Sequence, residues 1–197
     1  MASPVQTGLV VADLDRFDED ERHKYELIDG VLYVSPKGVP RHQLVATRIA
    51  HRLLDHTDVH GGVAIVEPDV YYTERDFVIP DVVVLSAEAW ERVGATAIDV
   101  PPDLVVEVSS PSTRRRDLTV KLELYERQGV PEYWFVDLDA DRIEAYRLPA
   151  TERADATAGS GYGAPVLAGR GERLRPPGLP GLAVDVDDVL GAILPPG

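Results

Sequence analysis

The sequence predicts an α/β domain with a central mixed β-sheet flanked by α-helices. Short runs such as "PDVVVL" (80–85) and "DLVVEVSS" (103–110) have the length and β-branched character of strands. Amphipathic helical periodicity lies between such runs. From 103 to 137 the order is strand–helix–strand, the pattern of a parallel pair joined by a crossover helix. No internal repeat or linker-like stretch divides the 197 residues, so one domain over 1–197 is expected, with its core from roughly 10 to 190.

The elements follow in order. "TGLVVADLDRFDEDERHKYELIDG" (7–30) reads as helix ending in a turn at Asp29-Gly30, and "VLYVS" (31–35) as a short strand. "PKGVP" breaks the pattern. Residues 41–56 place Val45, Ile49 and Leu53 at i, i+4 and i+8, an amphipathic helix. "GGVAIVEPDVYYTE" (61–74) reads as a strand or hairpin piece with Pro68 at a bulge or edge. "VIPDVVVL" is a strand starting near Asp81, and "EAWERVGA" a short helix or loop. "DLVVEVSS" (103–110) is apolar on nearly both faces and therefore central in the sheet. Leu118, Leu122 and Tyr125 give residues 115–128 a helical stripe, stopped by Gly129 and Pro131. Residues 132–148 read as two strands about an Asp-rich turn. Residues 150–178 read as an irregular loop with one short strand at "YGAPVLA", and "LPGLAVDVDDVLGAIL" as a closing strand and helical turn.

Composition narrows the function. The chain has no cysteine, which excludes disulfides and thiolate metal sites and suits a reducing cytoplasm. No run of 18 apolar residues suggests a membrane span, and the N-terminus lacks a secretory pattern. Twenty Lys and Arg against 34 Asp and Glu give a net charge of −14, which argues against a charge-driven nucleic-acid binder. A metal ion or a local basic patch can reverse the field at one site, and "TRRRD" (113–117) is the densest basic cluster.

Two carboxylates stand out because they sit in segments that otherwise read as core strands. Asp81 opens "DVVVL". Glu107 shares one strand face with Val105 and Ser109, while Leu104, Val106 and Val108 take the other. An unpaired buried carboxylate costs several kcal/mol. Alone, Glu107 reads as a salt-bridged or edge-exposed glutamate and Asp81 as a strand-start cap. If the strands are neighbours, the two carboxylates converge, repel and raise each other's pKa, and a divalent cation would relieve the repulsion. Oxygen-only ligands favour Mg²⁺ or Mn²⁺. Lys121 lies beside the apolar stripe of its helix. It reads either as a surface lysine paired with Asp117 at i−4 or as an ammonium beside the metal, and spacing alone favours the surface pair.

"YELIDG", "SPKGVPRHQLV", "VIPDVVVL", "PPDLVVEVSSPSTRRRD", "KLELYERQGVPEYWFVD" and "LPGLAVDVDDVL" occur in an order that resembles the Uma family of restriction-endonuclease-like proteins, within the PD-(D/E)xK nuclease superfamily. The resemblance spans roughly residues 10–190. It implies a restriction-endonuclease-like α/β fold, with Asp81 and Glu107 as metal-binding acids and Glu26 as an N-terminal glutamate able to reach the metal. The superfamily's usual lysine, two residues after the acid, is replaced here by Ser109; the resemblance points instead to Lys121 on the following helix. His42 and Tyr125 match accessory positions near the site. Glu26 and His42 also admit plainer readings, as a solvent-facing residue and as a packed or capping histidine. Arg114, Arg115 and Arg116 suit phosphate contacts or a solvated helix start.

The expectation is therefore a Mg²⁺- or Mn²⁺-dependent endonuclease acting on DNA, cytoplasmic, without a membrane partner and compatible with a homodimer. The alternatives are a non-catalytic nucleic-acid- or protein-binding domain that retains the nuclease fold, and a metal-dependent hydrolase of another phosphate ester.

Overall fold

A computed structural model describes residues 4–17, 22–36, 38–149 and 161–192. Its framework is two β-sheets that meet at the candidate site. The larger has the order Val166–Gly169, Arg142–Arg147, Glu132–Asp137, Leu104–Val108, Val82–Leu85, Val63–Val66. Leu104–Val108 and Glu132–Asp137 run parallel, and the other neighbours in this sheet are antiparallel. The mixed sheet and the parallel crossover are as the sequence predicts. The smaller sheet is antiparallel, in the order Pro4–Gln6, Val31–Pro36, His23–Ile28, Asp76–Val78, Val70–Thr73.

The period-2 alternation of the strands sorts side chains into two cores. Val82, Val84, Leu104, Val106 and Val108 join Trp134 and Val136 against the long helix Pro40–His60, whose Val45, Ile49 and Leu53 are wholly buried. Pro40 opens that helix at its first turn, where its missing N–H costs nothing. Val83, Leu85, Val105, Tyr133 and Phe135 face the opposite core with the crossover helix. Each fully buried Val, Leu or Ile contributes about 1.5–3 kcal/mol of transfer free energy. This two-sided burial is why Leu104–Val108 is apolar along its whole length apart from Glu107.

Three expectations need correction. Residues 7–30 are not one helix. A six-residue 3-10 turn covers Val11–Arg16, residues 18–21 lie outside the described residues, and His23–Ile28 is a strand. Its alternation wins because Tyr25 and Leu27 pack into a third cluster while Ile28 faces the core beside the crossover helix. It turns into Val31–Pro36 through Asp29 and Gly30, both with positive φ (53° and 73°), the two-residue geometry that favours Asp-Gly. Residues 61–74 are not one piece either. Val63–Val66 belongs to the large sheet and Val70–Thr73 to the small one, and the chain changes sheets at Glu67-Pro68, with Glu67 at φ 46°. The expected 115–128 helix is interrupted: α-helical Arg114–Arg116 and Leu122–Arg127 flank a π-helical turn, Asp117–Lys121. Part of the 150–178 loop, residues 150–160, lies outside the described residues. Its predicted strand is Val166–Gly169, and Arg173–Leu174 pairs with Val184–Asp185 before the short helix Val186–Leu190.

Candidate active site

The sheet register brings the two acids together. Val82 stands opposite Val106 and Val83 opposite Val105 in antiparallel pairing. Asp81 immediately precedes Val82 and Glu107 immediately follows Val106, so the two acids stand at the same end of this strand pair. Asp81 Oδ2 accepts from the Val108 amide at 2.8 Å, stitching the first acid to the strand that carries the second. Both acids line a polar cavity of about 20 Å³, with Lys24, His42, Ser110, Arg116, Asp117 and Lys121 among its other walls. That is room for roughly one water-sized occupant.

Each acid has its own set of partners. Lys24 Nζ donates to Asp81 Oδ1 at 2.7 Å, and His42 Nε2 lies 3.0 Å from Oδ2. Lys121 Nζ and the Tyr125 hydroxyl converge on Glu107 Oε1 at 2.7 and 2.6 Å. The same ammonium lies 2.7 Å from Glu26 Oε1, while Arg116 Nη2 holds Glu26 Oε2 at 2.8 Å. Glu26 also accepts from the Ile79 amide at 3.1 Å. The result is a buried chain of alternating charge, Arg116–Glu26–Lys121–Glu107, beside the Lys24–Asp81–His42 group.

The helix supplies its part through the π turn. Asp117, Lys121, Leu124 and Tyr125 are its buried face, while Leu118 and Leu122 flank it half-buried. Half of this inward line is polar, so apolar periodicity underestimates it. The Tyr133 hydroxyl donates to the Asp117 carbonyl at 3.1 Å within the widened turn. Local geometry also seats His42. Gly38 passes so close that a Cβ there would run into the imidazole ring.

The electrostatics follow from burial and these contacts. Burial raises the Asp81 carboxyl, but Lys24 and His42 overcome it and hold the group well below the usual carboxylate range. Burial likewise opposes ionisation of Glu26, yet Lys121 and Arg116 bring it down to about 2. Glu107 goes the other way. Burial raises it, Lys121 pulls back, and Asp81, Asp117 and Glu26 add repulsion, leaving it at about 7. Burial raises Asp117 to about 6 against the pull of Lys121 and Arg116, whose Nε lies 3.8 Å from Oδ1. Burial lowers the His42 imidazole, but its bond to Asp81 more than offsets this and the net shift is upward.

The structure thus brings Glu26, His42, Asp81, Glu107, Lys121 and Tyr125 together as two side-chain groups around one cavity. The three arginines separate. Arg116 is buried against Glu26 with its guanidinium over the Tyr33 ring, Arg114 pairs with Asp137 at 2.6 Å, and Arg115 is exposed. The surface pairing of Lys121 with Asp117 is overturned, because Lys121 is only 1% exposed and its ammonium goes to the two glutamates. The expected mutual repulsion of Asp81 and Glu107 is overturned for Asp81, which Lys24 neutralises. Sequence reasoning missed Lys24 and the buried role of Asp117. Lys24 had a signal, since it precedes Glu26 by two residues and so shares its strand face.

A Mg²⁺-type ion is tested by the donor set. Among the described residues no group of three or more His, Asp or Glu side chains is arranged to hold a metal. The site is therefore no all-protein cage. Two carboxylates lining one water-sized cavity do suit Mg²⁺ or Mn²⁺, hard ions that keep several waters and take one or two carboxylates.

Comparison with known proteins adds three findings. Residues 11–187 match the model of the Uma2 family, described as "Putative restriction endonuclease". "Uncharacterized protein slr1290" of Synechocystis sp. is 29% identical over 135 residues, covering 66% of this chain and 70% of the relative. The crystal structure of a "putative nuclease belonging to DUF820" from Anabaena variabilis superposes with a TM-score of 0.72 at 15% identity, covering 92% of this chain and 97% of the other. At that identity the likeness is one of fold.

Proposed function

The chain belongs to the Uma2 family, described as "Putative restriction endonuclease", and from that membership we propose that it hydrolyses phosphodiester bonds of DNA with Mg²⁺ or Mn²⁺ as cofactor. The observation that carries the reading is that Asp81 and Glu107, from the same end of two adjacent strands, line one polar cavity that Lys121 also lines. Asp81 and Glu107 hold the ion in this reading. Bound there, the ion supplies an acidified water and polarises the scissile phosphate.

The chain's own residues do the rest. Lys121, fixed between Glu26 and Glu107, sets a positive charge at the cavity where charge develops on the phosphorus oxygens. Glu26 and Tyr125 are positioning residues: Glu26 carries Lys121, and Tyr125 orients the Glu107 carboxylate. His42 orients Asp81 from the other side. Arg115, exposed next to the site helix's buried face, suits a contact with the nucleic-acid backbone.

The test is incubation of the purified protein with single- and double-stranded DNA and RNA in Mg²⁺, Mn²⁺ or EDTA. Cleavage of DNA that needs the metal and is lost in Glu107→Ala supports the reading; preference for RNA moves the substrate; no metal-dependent cleavage sinks the enzyme. One observation favours a binding domain without catalysis as the second reading. Lys24 and Lys121 already give each of the two acids a cationic partner without a metal.

A further inference from the structure

Lys24 is the buried cation that the proposed chemistry leaves without a task. It lies on the central strand of the small sheet, 9% exposed, and lines the same cavity as Asp81 and Glu107. Its ammonium donates to Asp81 Oδ1 at 2.7 Å and to the Ile79 carbonyl at 3.4 Å, and forms an ion pair with Glu67 Oε1 at 3.0 Å. Asp81 is buried, whereas the Glu67 side chain is 31% exposed. Glu67 is itself held in place. It sits where the chain changes sheets, at φ 46°, and its amide donates to the Asp81 carbonyl at 3.1 Å. One lysine is thus strung between a carboxylate in the site and a carboxylate at its edge.

The cavity has room for roughly one water-sized occupant. A divalent ion bound to Asp81 and an ammonium at hydrogen-bonding distance from the same carboxylate would repel at very short range. The two cannot share Asp81 on equal terms. We propose that Lys24 is a displaceable counter-ion: it holds the Asp81 carboxylate until a divalent cation enters, and Glu67 then retains its ammonium at the edge of the site. This deepens the proposed function and rests on its reading of Asp81 as a metal ligand. It assigns Lys24 and Glu67 as positioning residues that set metal affinity and hold the metal-free site together.

Calorimetric titration of the full chain with Mn²⁺ tests it, using wild type, Lys24→Met and Glu67→Gln. Removing the competing charge in Lys24→Met should tighten Mn²⁺ binding about tenfold or more. Removing the retaining carboxylate in Glu67→Gln should weaken it, because Lys24 then depends more on Asp81. A purely structural lysine would weaken binding or leave it unchanged when lost, and either result for Lys24→Met overturns the proposal. If Lys24→Met does not fold in EDTA, circular dichroism on adding Mn²⁺ decides: recovery of the folded signal supports displacement, and no recovery overturns it. Wild type that binds Mn²⁺ and cleaves DNA beside a Lys24→Met of unchanged affinity would remove this inference alone. Absence of Mn²⁺ binding in every variant, with no cleavage, would remove the nuclease reading along with it.

Discussion

At Lys121 the local and the catalytic demands meet in one side chain. It is 1% exposed and carries contacts to both Glu26 and Glu107. Lys121→Met should therefore do two things. In single-turnover assays at saturating Mn²⁺ it should cut DNA cleavage by roughly 10²-fold or more, the scale for losing one electrostatic stabiliser. It should also strand two buried carboxylates and cost about 3–5 kcal/mol in urea denaturation with EDTA present. Helix spacing alone leads to a surface pair with Asp117 and a mutant that folds normally, and the buried contacts reverse that expectation. Asp81 is corrected in the same way. Repulsion between acids would make Asp81→Asn neutral or stabilising, but Asp81 bonds Lys24, the Val108 amide and His42. The substitution should lower the melting temperature in EDTA, and a rise would restore the repulsion argument.

The π turn Asp117–Lys121 is the element that sets the helix face. It leaves Asp117, Lys121 and Tyr125 directed inward, although Leu118 and Leu122 looked like the buried stripe. A widened turn alters the regular backbone ladder, and Tyr133 supplies a donor to the Asp117 carbonyl at 3.1 Å. Tyr133→Phe removes that hydrogen bond, at a cost of about 0.5–1.5 kcal/mol by urea denaturation. Because the turn carries Lys121, the substitution should also slow cleavage, though no substrate touches Tyr133. An unchanged urea midpoint would mean that the turn holds without this bond.

Across the whole molecule, the buried charges set how metal-free stability depends on pH. Glu107 is raised from 4.5 to about 7 and Asp117 from 3.8 to about 6. A raised carboxyl favours the folded state while protonated, so its contribution is full below the ordinary pKa and is lost as pH rises through 6 to 7. Glu26, lowered from 4.5 to about 2, contributes above 4.5 and loses that contribution as pH falls toward 2. In EDTA the melting temperature should therefore be higher at pH 5.5 than at pH 8, and fall again toward pH 2. Asp117→Asn should flatten the alkaline limb, and a limb unchanged in that variant would assign the slope to other groups.

Period-2 alternation, the Asp-Gly turn and the strand–helix–strand order were enough to place Glu107 in a core strand of a mixed sheet and Asp81 at the start of its neighbour. These signals are local, written in residues that touch along a single element. The motifs from "YELIDG" to "LPGLAVDVDDVL" named the family that the match over residues 11–187 supports. Tertiary structure alone decided who neutralises whom. Lys24 reaches Asp81 across 57 residues of chain, and Arg116 reaches Glu26 from a different element altogether. It also decided that His23–Ile28 is a strand, since its partners in Val31–Pro36 and at Phe77 come from outside its own sequence. Nor could apolar spacing reveal a π turn whose inward face is half polar. A buried charge is tolerated only where an opposite charge arrives from elsewhere in the fold, and no single stretch of sequence records that arrival.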